Sequence, residues 1–227
     1  MTFRQEIIGD ATLILEDCRE VLPTLGRFDA IVSDPPYGIG YSPGGGGGIR
    51  DKNGRRLGKG FTGANIVVGD SEPFDPKFLV DLGVPTILWG ANHYASRLPD
   101  SASWLVWNKL RPPTDFADCE MAWCSLGFPA RLRSHEWNGM LRASERGIPR
   151  VHPTQKPIEI MQWCLGFLPA AQTILDPFMG SGTTGVACSN LGCAFTGIEA
   201  GIQHSTSPGC STSARAPSAE ADHNPSA

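Results

Sequence analysis

The residues best suited to chemistry are Asp34, Pro35, Pro36 and Tyr37, which stand together in the chain. A carboxylate and a neighbouring carbonyl can accept both hydrogens of an exocyclic amine. The prolines stiffen the turn and keep its carbonyls out of sheet pairing. A tyrosine ring can stack on a flat base that has left a nucleic-acid helix. The same four residues are also compatible with an ordinary proline turn that carries a surface tyrosine.

A second motif follows the pattern G-x-G-x-x-G at residues 180–185, GSGTTG. It comes after a predicted strand and opens a predicted helix, and Glu199 ends the next predicted strand. Glycines let the backbone approach a ligand closely, and an acid at a strand end can bind ribose hydroxyls. The motif alone therefore predicts a nucleotide-type site, although a tight turn without a ligand has the same pattern.

Strands and helices alternate around these motifs. Both motifs directly follow apolar strand-like segments, where ligands bind on open α/β sheets. The order predicts an α/β, Rossmann-like fold with a mostly parallel central sheet and helices on both faces. The predicted strands are 12–15, 30–33, 86–89, 104–107, 120–123, 173–175 and 194–198, and the predicted helices begin at residue 17 and cover 75–83, 157–168 and 183–191.

Composition narrows the class of protein. The chain has 227 residues, of which 41% are hydrophobic and 19% charged, and its net charge is −4. These values indicate a globular protein and exclude a uniformly basic nucleic-acid coat. No apolar run is long enough to cross a membrane. The seven cysteines are odd in number and form no C-x-x-C pair, so we expect reduced thiols, a cytoplasmic protein and no metal site.

Three segments depart from the strand–helix pattern. Residues 44–60 hold eight glycines and a local charge of +4, which predicts a mobile basic loop that closes over DNA phosphates or is simply solvated. Residues 131–150 have no clear period and a local charge of +3, and are the candidate for base readout. Residues 200–227 are rich in Ser and Ala, so we expect a disordered tail after a single domain at 1–199.

Together with residues 152–157, HPTQKP, the two motifs resemble the amino-directed DNA methyltransferases that use S-adenosylmethionine. The tetrapeptide resembles their catalytic motif and residues 176–184 resemble their cofactor motif. The order, with the catalytic motif first, is that of a permuted group with the class I methyltransferase fold. Residues 116–123 and 137–141 are similar to small phage and prophage adenine-specific members. Restriction–modification is one setting for such an enzyme, whether a restriction partner exists stays open, and the short region for base readout favours a small solitary enzyme.

The resemblance implies a role for each matched residue. Asp34 and the Pro35 carbonyl would hold the target amine, Pro36 would stiffen the turn, and Tyr37 would stack on the flipped base. The residues implied to bind or flank the cofactor are Asp17, Cys18, Asp34, His152, Thr154, Lys156, Asp176, Phe178, Gly180, Ser181, Gly182, Thr183 and Glu199. The residues predicted to contact double-stranded DNA are Arg50, Lys52, Arg55, Arg56, Lys59, Arg131, Arg133 and Arg142.

These roles predict methyl transfer from S-adenosylmethionine to adenine N6 by direct displacement. Accepting both amine hydrogens stabilises the positive charge that develops on the attacking nitrogen. Pro-Cys does not occur in the chain, which argues against the methyltransferases that attack cytosine through its ring carbon. Aspartate as the first residue of the tetrapeptide favours adenine, and cytosine N4 stays open.

Three further functions stay open. One is a methyltransferase for RNA or protein glutamine, whose motifs normally stand in the opposite order. Another is a nucleotide-dependent dehydrogenase, which would leave residues 34–37 and 152–157 unexplained. The last is a catalytically impaired DNA-binding remnant, because family members continue after the acid at 199 with an amphipathic helix. The sequence after Glu199 resembles the product of a reading-frame shift instead.

Overall fold

The computed structural model describes residues 3–39, 69–111, 117–138, 141–148 and 155–201. No helix within these ranges is long and apolar enough to cross a membrane. The strands are β1 (Arg4–Ile8), β2 (Ala11–Leu15), β3 (Ala30–Ser33), β4 (Thr86–Trp89), β5 (Trp104–Asn108), β6 (Cys119–Cys124), β7 (Arg131–Ser134), β8 (Trp137–Asn138), β9 (Leu141–Arg142), β10 (Thr173–Asp176) and β11 (Ala194–Glu199). The α-helices are α1 (Cys18–Val21), α2 (Lys77–Val80), α3 (Ile158–Leu165) and α4 (Thr183–Leu191).

Nine of these strands form one sheet in the order β1-β2-β11-β10-β3-β4-β6-β5-β7. Seven strands point the same way, and only β1 and β6 of this sheet run opposite to them. The carboxyl ends of the seven strands therefore meet at one edge, together with the beginning of β6. The prediction of a mostly parallel central sheet is confirmed.

The central strands are buried on both faces because their apolar residues alternate between two cores. Ile31 and Leu175 belong to one core, with Leu79 of α2 and Val21 of α1. Val32, one position further along β3, belongs to the other core with residues of α3 and α4. The helices thus cover both faces of the sheet, and the alternation fixes which face each strand residue supplies.

The helices begin close to their predicted positions. The carboxylate of Asp17 caps α1 by accepting a hydrogen bond of 2.8 Å from the Arg19 amide, as an acidic N-cap predicts. Two helices are shorter than predicted. The helix predicted within 75–83 covers only Lys77–Val80 and is followed by Gly83 at φ 69°. The helix predicted for 157–168 ends at Leu165.

The basic stretch within 131–150, for which the sequence shows no period, contains three short strands. β7 lies at the outer edge of the large sheet, and β8 and β9 form a separate hairpin. Along β7 most residues are exposed, so burial imposes no alternation on the sequence. This exposure explains why the pattern of apolar residues did not predict β7.

Candidate functional site

Four acidic residues follow or end neighbouring strands at the carboxyl edge of the sheet. Asp17 follows β2, Glu199 ends β11, Asp176 ends β10 and Asp34 follows β3. These four strands are parallel neighbours in the order β2-β11-β10-β3. The sheet order therefore brings both sequence motifs, which lie about 140 positions apart in the chain, to one site of the kind that binds ligands on open α/β sheets.

A buried hydrogen bond joins the two central strands of this site. The Ser33 hydroxyl donates to the Asp176 carboxylate at 2.6 Å, and the Thr184 hydroxyl donates to its other oxygen at 2.5 Å. The backbone amide of Phe178 donates a third hydrogen bond, at 3.1 Å. Burial raises the pKa of the Asp176 carboxyl to about 6 even though these hydrogen bonds lower it. Asp176 therefore shapes the turn from inside the protein.

The glycine motif forms a sharp turn between β10 and α4. Gly180 donates its amide to the Glu199 carboxylate at 2.7 Å, so the turn is tied to the end of β11. Gly182 precedes the first residue of α4 with φ 75°, a conformation that favours glycine. A Cβ at Gly185 would lie 2.8 Å from the Phe195 ring, so the third glycine permits close packing of α4 on β11.

The remaining residues of this turn are held by short contacts. The hydroxyls of Ser181 and Thr183 lie 3.0 Å apart, and Thr183 is buried. The Phe178 ring is half-buried and packs edge-on against Phe74 at 5.5 Å between centroids.

Cys18, predicted to flank the cofactor, has a buried side chain in the core under α1. Burial and the neighbouring Asp17 raise the pKa of its thiol to about 12, so this thiol stays protonated.

The carboxylate of Asp34 is held by two partners. The Tyr37 hydroxyl donates to its Oδ1 at 2.6 Å, and Lys156 Nζ lies 2.6 Å from its Oδ2. Lys156 also donates to the Tyr37 hydroxyl at 3.0 Å. The structure thus brings together the tetrapeptide and one residue of the segment 152–157.

The Tyr37 ring stacks on a histidine ring and packs closely against the backbone after β4. It stacks on His93 with 5.1 Å between ring centroids and 13° between planes. Beneath it, Gly90 follows β4 with φ 68°, and a Cβ there would lie 1.9 Å from Tyr37 Cε1. Burial and the Asp34 carboxylate raise the pKa of the Tyr37 hydroxyl well above its ordinary value, so the group acts as a hydrogen-bond donor. Sequence patterns gave no signal for His93 or for the role of Gly90.

Two charged residues extend the site beyond the predicted set. Glu120, in β6, lies 2.8 Å from Lys156 Nζ and also forms an ion pair with Lys109, which follows β5. Burial would raise the pKa of Glu120, but the ammonium groups of Lys156 and Lys109 lower it to about 2. A signal for this role was present in the sequence, because Glu120 is an acid within an apolar strand.

The predicted DNA-contacting residues have different surroundings. Arg131 is exposed on β7, while Arg133 forms an ion pair with Glu159 of α3. The Arg142 guanidinium lies 5.2 Å from the centroid of the Trp137 ring. The other predicted residues lie outside the described ranges: Arg50, Lys52, Arg55, Arg56 and Lys59 for DNA, and His152 and Thr154 for the cofactor.

The residues at the glycine turn fit S-adenosylmethionine. A Cβ at Gly182 would meet no atom within 4 Å, so the space beside the turn is open. The carboxylates of Asp17 and Glu199, at the ends of two adjacent strands, suit hydroxyl and ammonium groups, and Phe178 offers an apolar ring. Among the described residues, no cluster of His, Cys, Asp and Glu could hold a metal ion.

Solved structures share this fold. The PvuII DNA methyltransferase, described as cytosine-N4-specific, aligns with a TM-score of 0.55 and 11% sequence identity over 87% of this chain and 86% of its own. At this identity the likeness concerns the fold alone. The predicted class I methyltransferase fold is confirmed.

Curated proteins match a shorter stretch. The type II methyltransferase M2.DpnII of Streptococcus pneumoniae is 43% identical over 65 residues, and M2.LlaDCHI of Lactococcus lactis subsp. cremoris is 44% identical over 64 residues. Each match covers 28% of this chain and 24% of the relative, so the chain spans about a quarter of the length of the curated relatives that it matches. The model of the N6/N4 DNA methylase family matches residues 91–207, just over half of the chain. On that match, the chain belongs to the N6/N4 DNA methylase family.

Proposed function

We propose that this protein transfers a methyl group from S-adenosylmethionine to the exocyclic N6 of adenine in double-stranded DNA. The family to which the chain belongs uses this cofactor, as the motifs predicted. The observation that carries the proposal is the juxtaposition of β3 and β10, tied by the Ser33–Asp176 hydrogen bond. It supports a single pocket in which Asp34 receives the amine beside a cofactor at the glycine turn.

The chain's own groups account for the proposed chemistry at the amine. The Asp34 carboxylate and the carbonyl of Pro35 accept the two amine hydrogens, which favours a tetrahedral nitrogen with an available lone pair. When bound, the cofactor supplies an electrophilic methyl group on a sulfonium. That methyl group would pass to the amine nitrogen as its bond to sulfur breaks, which would leave a neutral thioether, and the nitrogen would then release one of its protons to solvent. Holding the amine in line with the methyl group supplies on the order of 7 kcal/mol.

Tyr37 is proposed to stack on a base that has left the helix. Its ring already stacks on His93, so the site has a flat aromatic surface next to Asp34. Residue 34 is aspartate, which favours adenine over cytosine N4. The permuted motif order and the phage-like origin stay predictions.

Contacts with DNA are proposed from exposed charge. Arg131 is exposed on the edge strand β7, where it is the first residue and pairs with Leu105, so it lies toward the amino ends of the strands and not at the carboxyl edge that holds the site. Arg133 is engaged by Glu159, so its proposed contact with DNA competes with an internal ion pair. The basic residues within 44–60 are proposed to neutralise phosphates on the sequence argument alone.

The test combines binding and product analysis. Calorimetry measures binding of S-adenosylmethionine to the full chain, and unmethylated DNA is then incubated with enzyme and cofactor. Mass spectrometry of the released nucleosides distinguishes N6-methyladenine from N4-methylcytosine, and Asp34→Ala is the inactive control. N4-methylcytosine as the product would contradict the choice of base. Cofactor binding without methylation would indicate the impaired remnant, and no cofactor binding would refute the proposal.

A further inference from the structure

Four buried or partly buried charges of alternating sign run from the tetrapeptide across the sheet. Asp34 pairs with Lys156 at 2.6 Å, Lys156 pairs with Glu120 at 2.8 Å, and Glu120 pairs with Lys109. The two lysine side chains are only 6% and 10% exposed. Because buried charges are costly unless paired, each charge here depends on its neighbours.

The sheet register fixes the far end of this series. β6 runs antiparallel to β4, so Glu120, near its beginning, lies at the carboxyl edge. Glu120 pairs with Trp107 of β5, and the Lys109 amide donates to the Asp118 carbonyl at 3.0 Å. Glu120 therefore lies within β6, and Lys109, the residue after β5, is held beside it by this backbone hydrogen bond.

The position of Lys156 between two carboxylates has an electrostatic consequence. A lysine paired with Asp34 alone would offset much of the negative potential of that carboxylate, because both side chains are largely buried. Because Lys156 also interacts with Glu120, it offsets less of the negative potential around the Asp34 carboxylate. Negative charge at Asp34 is what stabilises the cationic nitrogen that forms during attack on the methyl group.

We propose that Glu120 is a positioning residue, which holds Lys156 between two carboxylates so that Asp34 keeps the negative charge that the reacting amine needs, while Lys109 balances Glu120. This inference rests on the proposed methyl transfer. It assigns no direct contact between Glu120 and the substrate.

The first test is Glu120→Gln, which keeps the shape of the side chain and removes its charge. We expect kcat to fall by about ten- to a hundredfold, the loss typical when a partner that orients a metal ligand is removed, because Glu120 has a corresponding position behind Asp34. We expect the KM for DNA and the calorimetric Kd for S-adenosylmethionine to stay within about twofold of wild type. A weakened Kd for S-adenosylmethionine with unchanged kcat would overturn the proposal, because the Glu120–Lys156 pair would then support cofactor binding and would not affect Asp34.

The second test separates catalysis from charge balance within the fold. The double variant Glu120→Gln/Lys109→Met removes one charge of each sign, so its melting temperature should recover relative to Glu120→Gln. If Glu120 acts on Asp34 through Lys156, kcat of the double variant stays low. Recovery of kcat together with the melting temperature would overturn the proposal, because Glu120 would then only neutralise Lys109. If Glu120→Gln does not fold, the neutral double variant gives the same decision.

The wild-type enzyme separates the two proposals. A wild type that binds S-adenosylmethionine but methylates no DNA contradicts the proposed function. An active wild type whose kcat equals that of Glu120→Gln contradicts only the positioning role.

Discussion

The hydroxyl of Ser33 and the carboxylate of Asp176 form a buried hydrogen bond of 2.6 Å between residues 143 positions apart. Each is the last residue of its strand, β3 or β10. The bond therefore fixes the starting point of both motifs, because Asp34 follows one strand and the glycine turn follows the other. Its removal tests how the fold supports the site.

We expect Ser33→Ala to lower the free energy of unfolding by about 1–3 kcal/mol, because the buried carboxylate loses a donor. Urea unfolding at neutral pH measures the change. Ser96→Ala is a matched control, since Ser96 is exposed, and it should change stability by less than about 0.5 kcal/mol. Equal effects of the two substitutions would contradict the role of the Ser33 hydrogen bond.

The raised pKa of Asp176 predicts a pH dependence of stability. Its carboxyl titrates at about 6 in the folded protein, against an ordinary value of 3.8. The folded state thus holds the proton more tightly, so this contribution is fully present below pH 3.8 and is lost as the pH rises through 6. The difference amounts to about 3 kcal/mol.

Asp176→Asn removes this titration while keeping an oxygen for the Ser33 and Phe178 hydrogen bonds. We expect wild-type stability to fall relative to that of Asp176→Asn as the pH rises from 4 to 7. Urea unfolding at several pH values measures both proteins. Parallel curves over this range would contradict the shifted pKa.

Gly90 and Gly83 offer a matched pair for the packing of Tyr37. Both have nearly the same positive φ, 68° and 69°, but only a Cβ at Gly90 would collide with the Tyr37 ring, at 1.9 Å. We expect Gly83→Ala to cost about 1–2 kcal/mol from backbone strain alone. Gly90→Ala should cost about 1–3 kcal/mol more, because the ring must move. It should also lose methyltransferase activity, and similar unfolding energies for the two variants would refute the prediction.

Substitutions of the two arginines of β7 should affect DNA binding and stability separately. Arg131→Glu should weaken DNA binding, measured by fluorescence anisotropy, and leave unfolding within about 0.5 kcal/mol of wild type. Arg133→Glu should lower stability by up to about 1 kcal/mol, because its ion pair with Glu159 is partly exposed. The exchange Arg133→Glu/Glu159→Arg should restore stability. Because Glu159 also lies 3.4 Å from His135 Nδ1, the decisive measurement is the double-mutant cycle of Arg133→Ala and Glu159→Ala, and a coupling energy of zero would show that the ion pair contributes nothing measurable.

The proposed contact between the basic segment 44–60 and DNA is tested by the dependence of DNA binding on salt concentration. Arg55→Glu together with Arg56→Glu should weaken DNA binding and flatten its dependence on salt concentration, because fewer counterions are released per complex. Anisotropy titrations from low to physiological salt measure the slope. An unchanged slope would contradict a contact between this segment and phosphates.

The strand pattern could be predicted because burial on two faces gives β3, β4 and β10 short runs of consecutive apolar residues. Register, in contrast, depends on contacts between segments far apart in the chain, so the Ser33–Asp176 bond had no local signal. The same holds for the ion pairs of Glu120, whose two partners, Lys109 and Lys156, come from two other segments of the chain. β7 was not predicted because an exposed edge strand does not need alternating apolar and polar residues. The two motifs were readable because a turn that binds ligands needs glycine or proline locally.

The phenol of Tyr37 already donates a hydrogen bond to Oδ1 of Asp34. A carboxylate oxygen can accept two hydrogen bonds, so an amine that reaches this oxygen either shares it with the phenol or displaces it. Where the amine displaces the phenol, the net gain is the difference between two similar interactions. Selectivity among ligands then depends on how well each fits beside, or competes with, a donor that the protein itself supplies.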